Sequence, residues 1–215
     1  MAKVPIVIPL KASEIELKAQ QLLKKFYPET LDNITPTPVD KIFEFVLPQL
    51  PIPIKCSYTS LQQLGIDAEG YTNAVNRISI IDEKIANDYS VPGRRRFRST
   101  AGHEIGHCVL HVPLCQWQAS LQTAGFGMKR EQSSLRPFED CEWQAWRFCH
   151  ALCMPAQHVY AAVSMFGTGY NGITAMTDLF DMNRSFVESR LRILKLIPAV
   201  PNGDSGKKKY AWNHK

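Results

Sequence analysis

The sequence predicts an α+β fold, on three observations. Amphipathic helical patterns occupy both ends of the chain. Short β-type runs follow Pro51, and the stretch from Thr100 to Leu110 reads as a helix carrying His103-Glu104-Ile105-Gly106-His107. With 215 residues, 45% hydrophobic and 21% charged, the chain can bury a substantial core and does not have a disordered composition. The expected organisation is one domain over residues 1–198. It divides into N-terminal helices in 1–50, a sheet with the His-Glu helix in 51–112, and a helical part in 137–198; a flexible basic tail follows at 199–215.

No apolar run approaches a bilayer span, and Val4 to Leu10 is too short and proline-broken for a signal-peptide core. A soluble, cytoplasmic protein is expected, with Cys56, Cys108, Cys115, Cys141, Cys149 and Cys153 as reduced, mostly buried residues. The net charge of +5 concentrates in Arg94, Arg95, Arg96 and Arg98 and in Lys207, Lys208, Lys209 and Lys215. Such runs are more often solvated surface than a nucleic-acid interface, so direct nucleic-acid binding is not the reading preferred here.

The first helix is expected over 13–26, with Ser13 and Glu16 at capping-box spacing and Ile15, Ala19, Leu22, Leu23 and Phe26 as its apolar stripe. A second begins at Thr37 as N-cap with Pro38 at its first position and Asp40 closing the box. It turns Ile42, Phe43 and Val46 inward and stops at Pro48. Ile52 to Tyr58 then suggests a strand, and Gly70–Val75 with Arg77–Ile81 a hairpin across Asn76. An edge strand placed there either pairs with an extended substrate or only completes a small sheet.

The central helix is expected from Val91-Pro92-Gly93 to about His111, ended by Pro113, with Phe97, Ala101, Ile105, Cys108 and Val109 on its packed side. Four arginines in its first turns oppose the helix dipole, which predicts that they face acidic groups elsewhere. His103 and His107, four residues apart, lie one turn apart on one face and can reach a single metal ion. Glu104 between them can take a proton from a metal-bound water without being a ligand. His111 lies about 12 Å along the axis from His103, too far to share the ion, and is read as a capping or surface residue. Residues 112–136 have room to form a loop over the cleft, with no shape assigned by the sequence.

Glu142 opens a further helical run to Pro155 and shares a face with Ala145, Trp146, Cys149 and Cys153, whereas Asp140 points away. A carboxylate on an apolar face needs a partner. A divalent metal supplies one, since two histidines and a glutamate form a known catalytic zinc set; a salt bridge to Arg147 is the alternative, and Glu139 is the runner-up ligand. His150 is read as packing or surface, with substrate contact as the lesser alternative, and His158 and Tyr160 as candidates for oxyanion or substrate contact. Ile173–Phe180 and Ser185–Leu194 form two helices around Asp181-Met182-Asn183. The pair is either a helix-turn-helix-like module or, through Val187, Leu191 and Leu194, a stripe packed on the core.

Together these residues resemble the ImmA/IrrE family of zinc metallopeptidases. The family pattern is matched by Arg95-Arg96-Phe97, by His103-Glu104-Ile105-Gly106-His107, and by Glu142, Ala145, Phe148, Leu152, Met154 and Pro155 in register. The resemblance implies a zincin-like core with a small sheet, an active-site helix and a C-terminal helical portion. It also implies His103, His107 and Glu142 as Zn2+ ligands, Glu104 as general base, and cleavage of a co-encoded helix-turn-helix repressor. The chain departs from the family at Trp146, where Asn or Asp is usual. An indole only donates, so either a backbone carbonyl or Asp140 orients the ligand histidine instead, or metal affinity falls.

Overall fold

The computed structural model describes residues 3–4, 7–123, 130–131 and 140–199, with side chains over 7–117 and 140–199. The elements run β1 (Lys3–Val4), α1 (Ala12–Phe26), α2 (Glu29–Asp32), α3 (Val39–Lys41), β2 (Lys55–Thr59), β3 (Gly70–Asn73), β4 (Ile78–Asp82) and α4 (Glu83–Ala86). They continue as α5 (Val91–Leu110), α6 (Val112–Thr123), β5 (Arg130–Glu131), α7 (Cys141–Cys153), α8 (Ala156–Phe166), α9 (Tyr170–Phe180) and α10 (Arg184–Ile193). The protein is therefore mixed α+β and mostly helical. Glu139, the Gly125-Phe126-Gly127 turn and the tail from residue 200 lie outside the described residues. No helix among the described residues is long and apolar enough to cross a membrane.

Strand β4 is the centre of a three-stranded sheet, parallel to β2 and antiparallel to β3, with Lys55 opposite Ile78 and Gly70 opposite Ile81. The expected hairpin is present, and β3 is an edge strand with no strand on its outer side among the described residues. Helix α5 packs against β3 and β4 on one side and α7 on the other, and α1 covers α7. The core joins Ile15 and Leu23 of α1, Ile105 of α5 and Phe148 and Leu152 of α7, all fully buried.

Several local expectations need correction. Helix α1 starts at Ala12, and Glu14, not Glu16, reaches back to the Lys11 N–H at 2.7 Å. Thr37 does not cap the next helix, because its hydroxyl donates to the Leu152 carbonyl at 2.8 Å. That helix continues from α3 as a π-helical turn over Ile42–Val46 and a 3₁₀ turn over Leu47–Gln49, so Pro48 is inside the last turn. Ile42, Phe43 and Val46 are buried as the pattern implies. Helix α5 ends at Leu110, before Pro113 as expected, and the stretch to which the sequence assigned no shape opens as a further helix, α6, from Val112 to Thr123.

The arginine cluster has the acidic partners that the helix dipole argument required. Arg94 grips Asp181 with two hydrogen bonds of 2.7 and 2.9 Å, Arg95 reaches Asp178 and Asp181, Arg96 pairs with Glu69, and Arg98 donates to the Asp181 carbonyl at 3.0 Å. This clamp ties the start of α5 to the α9–α10 turn. Burial alone would raise the Asp181 pKa, but hydrogen bonds from Arg94 and Arg95 and the charge of Arg98 hold it below the usual range. A lowered carboxylate contributes stability above its unfolded pKa and loses it as pH falls through the folded value. Asp181→Asn keeps the left-handed backbone (φ 50°) but not the charge. It is expected to cost about 1–3 kcal/mol at neutral pH and to flatten the acid limb of a pH–stability curve below about pH 4. Urea melts across pH would show it, and an unchanged midpoint would refute it.

The C-terminal helices are those expected. Helix α10 buries Phe186, Val187 and Leu191. The fully buried Arg190 donates to the Met154 carbonyl at 2.9 Å and pairs with Glu16 of α1.

Candidate metal centre

Helices α5 and α7 meet closely because Gly106 has no side chain. A Cβ at that position would lie 2.9 Å from the Ala145 carbonyl oxygen and 3.0 Å from its Cα, and backbone cannot step aside. Gly106→Ala is therefore expected to destabilise the fold by about 1–3 kcal/mol and to spread the two helices. Thermal melting and metal content together would test this, and wild-type values of both would overturn it.

That approach brings Glu142, in the first turn of α7, over the two histidines of α5. Asp140 caps α7 by accepting the Glu142 N–H at 2.9 Å, which fixes where the helix begins. Glu142 Oε2 lies 3.2 Å from His103 Nε2 and Oε1 lies 3.3 Å from His107 Nε2, while the two Nε2 atoms are 3.0 Å apart. His103, His107 and Glu142 are thus brought together as expected.

These separations suit a shared cation. Four ligands at about 2.05 Å around tetrahedral zinc have atoms about 3.3 Å apart, close to the three edges found. Burial disfavours charge on His107, but Glu142 and the nearby Glu104 and Asp140 raise its pKa overall. Burial would raise Glu142 in turn, and the hydrogen bonds and charges of His103 and His107 depress it well below the carboxylate range. The cluster therefore favours positive charge at its centre, a role that a proton or a divalent ion fills. These three residues could hold a metal.

His111 stands at the C-cap of α5, one of the two expected places, and is not at the surface. It is buried, and a hydrogen-bond chain fixes its tautomer: Gln144 gives its NH₂ to the Ile8 carbonyl at 2.9 Å, so its Oε1 must accept from His111 Nε2 at 3.1 Å. Burial and the His107 charge push His111 down to about 3, so the ring is neutral. Its Nδ1 then accepts from His107 Nδ1 at 3.1 Å, so that when His107 is neutral, as a metal ligand must be, its free lone pair is on Nε2, facing Glu142.

His103 lacks such support. Its Nδ1 is buried with no hydrogen-bond partner among the described residues, and the Trp146 ring stacks on it at 4.4 Å. Among the described residues neither Asp140 nor a backbone carbonyl takes over as acceptor; on this side the ring has only the Trp146 indole, tilted 38° to it.

Glu104, 5% exposed, points from α5 towards β3. Thr72 donates to its Oε2 at 2.6 Å, and its Oε1 lies where a Cβ on residue 70 would be, 2.6 Å away, so only glycine leaves it room. Neither Thr72 nor Gly70 is marked by local sequence; only the pairing of β3 with β4 brings them to α5.

The remaining candidates lie apart from this cluster. His158 Nε2 is 3.0 Å from the Leu31 carbonyl, and Tyr160 is half-exposed on α8. His150 is buried against Phe186, with ring centroids 4.0 Å apart, so it is not a surface residue. No family model matches the chain, and no curated protein matches it either.

Proposed function

We propose that the chain is a zinc metallo-endopeptidase of ImmA/IrrE type with a zincin-like core. Its substrate is a peptide bond in a protein, in the first place a co-encoded helix-turn-helix repressor. The observation that carries this reading is the convergence of two imidazoles and one carboxylate from separate helices, at mutual distances of 3.0–3.3 Å, beside a buried acid that is not part of the set.

His103, His107 and Glu142 would hold the metal, with His111 orienting His107. Zinc, when bound, supplies Lewis acidity to the scissile carbonyl and to the attacking water. Glu104 takes the water proton and returns it to the leaving nitrogen. With Oε2 engaged by Thr72, this proton transfer falls to Oε1, in the space left by Gly70. The open edge of β3 pairs with the substrate backbone, so the strand that aligns the substrate also steadies the base.

The test is cleavage of that repressor by the zinc-loaded chain, followed by mass spectrometry of the fragments. Thr72→Val, which keeps the side-chain shape and removes the donor, is expected to lower kcat by about 10- to 100-fold at unchanged zinc content. Absence of cleavage by the wild-type chain would sink the reading. One observation favours a second reading, a zinc-site protein that binds a repressor without cutting it: among the described residues His103 has no acceptor for its outer nitrogen. Tight repressor binding with no fragments would select it. Salt-dependent DNA binding would select the helix-turn-helix-like regulator instead, a role in which α10 would act with its Phe186, Val187 and Leu191 face already buried.

A further inference from the structure

A cavity of about 250 Å³ lies between α7 and α10, outside the metal cluster but sharing a wall with it. Trp143, Trp146, Arg147 and His150 project into it from successive turns of α7, and Phe186 and Ser189 face them from α10. Two indoles and a phenyl ring make the walls, and the Arg147 guanidinium lies over the Trp143 ring at 4.9 Å. His150 is 6% exposed and its Nδ1 has no hydrogen-bond partner among the described residues. A buried polar atom without a partner is costly, and a ligand with a polar end is one way to relieve it.

We propose that this cavity is a binding site for a single aromatic side chain with a hydrogen-bonding tip, tyrosine above all. The volume falls below the roughly 300–1,000 Å³ typical of sites for drug-sized molecules, which favours one side chain over a larger effector. Aromatic walls suit a flat ring, by offset or edge-to-face packing. The polar groups, His150 and the Ser189 hydroxyl, suit a phenol better than an aliphatic chain. Trp146 is the link to the metal cluster, for the same indole lines the cavity and stacks on His103. On the peptidase reading, on which this part rests, the occupant is a substrate residue close to the scissile bond.

The experiment follows the indole N–H signals of the full-length, metal-free chain by NMR during titration with N-acetyl-tyrosinamide, N-acetyl-phenylalaninamide or N-acetyl-leucinamide. Expected are saturable shifts of the Trp143 and Trp146 signals with the tyrosine amide and binding about tenfold weaker for the leucine amide. Ser189→Trp, which fills the space from the partly exposed side of α10, is expected to abolish the shifts while the spectrum stays dispersed. His150→Phe should erase any preference for the tyrosine amide over the phenylalanine amide and guards against a misfolded first variant. No saturable shift, equal binding of the leucine amide, or shifts that survive Ser189→Trp would overturn the proposal. Because no metal is present, the peptidase reading can fail without affecting this result. Cleavage by the zinc-loaded chain with no aromatic preference would instead remove the pocket's role and leave the hydrolase standing.

Discussion

Glu104→Gln is expected to leave zinc bound and to reduce hydrolysis by about 10²- to 10⁴-fold, the usual contribution of a general base. The substitution is nearly isosteric, and its amide keeps an oxygen that can accept the Thr72 hydroxyl, so the local structure has little reason to change. What disappears is the ability to hold a proton between attack and departure of the amine. Metal content by atomic absorption should match the wild type, because the three proposed ligands are elsewhere. Cleavage within a few-fold of wild type would remove Glu104 from the mechanism, whereas loss of zinc with loss of cleavage would mean that it supports the cluster instead.

The second large effect is on stability. The proposed ligands come from α5 and α7 and meet only in the folded chain, so zinc should bind the native state far better than the unfolded one. At a free zinc concentration about 1,000 times the dissociation constant, linkage gives about 4 kcal/mol. For a chain of this size, about 2–4 °C per kcal/mol converts that into a rise in melting temperature of roughly 8–16 °C. A chelator should reverse the rise, and Glu142→Ala should abolish most of it while the zinc-free melting temperature moves little, since that side chain is 57% exposed. Equal zinc-induced shifts in the wild type and Glu142→Ala would show that the ion, if it binds, sits elsewhere.

Much of the cluster was legible because helical spacing is a strong geometric constraint. Four residues put His103 and His107 on one face, and an acid on an otherwise apolar face marked Glu142 as needing a cationic neighbour. The arginines opposing the α5 dipole likewise announced Asp178, Asp181 and Glu69, without saying where those acids lay in sequence. The misses depend on contacts distant in sequence. Axial distance ruled out His111 as a ligand, but its role as the support of His107 requires Gln144, supplied by α7 33 residues later. Thr72 and Gly70 became visible only when the hairpin was laid against α5. Thr37 looked like a cap because its local pattern allows one, and the Leu152 carbonyl, 115 residues away, took its hydroxyl.

The bond between Arg190 and Glu16 links residues 174 positions apart. Shortening the protein from its N-terminus past α1 would take the counter-charge from Arg190, fully buried in the intact fold, a defect of about 3–5 kcal/mol, and would also strip Ile15 and Leu23 from the core. The opening helix and the closing one thus form a clasp around the metal-cluster helices. Fragments lacking either half are expected to unfold instead of displaying the His103, His107 and Glu142 cluster in isolation.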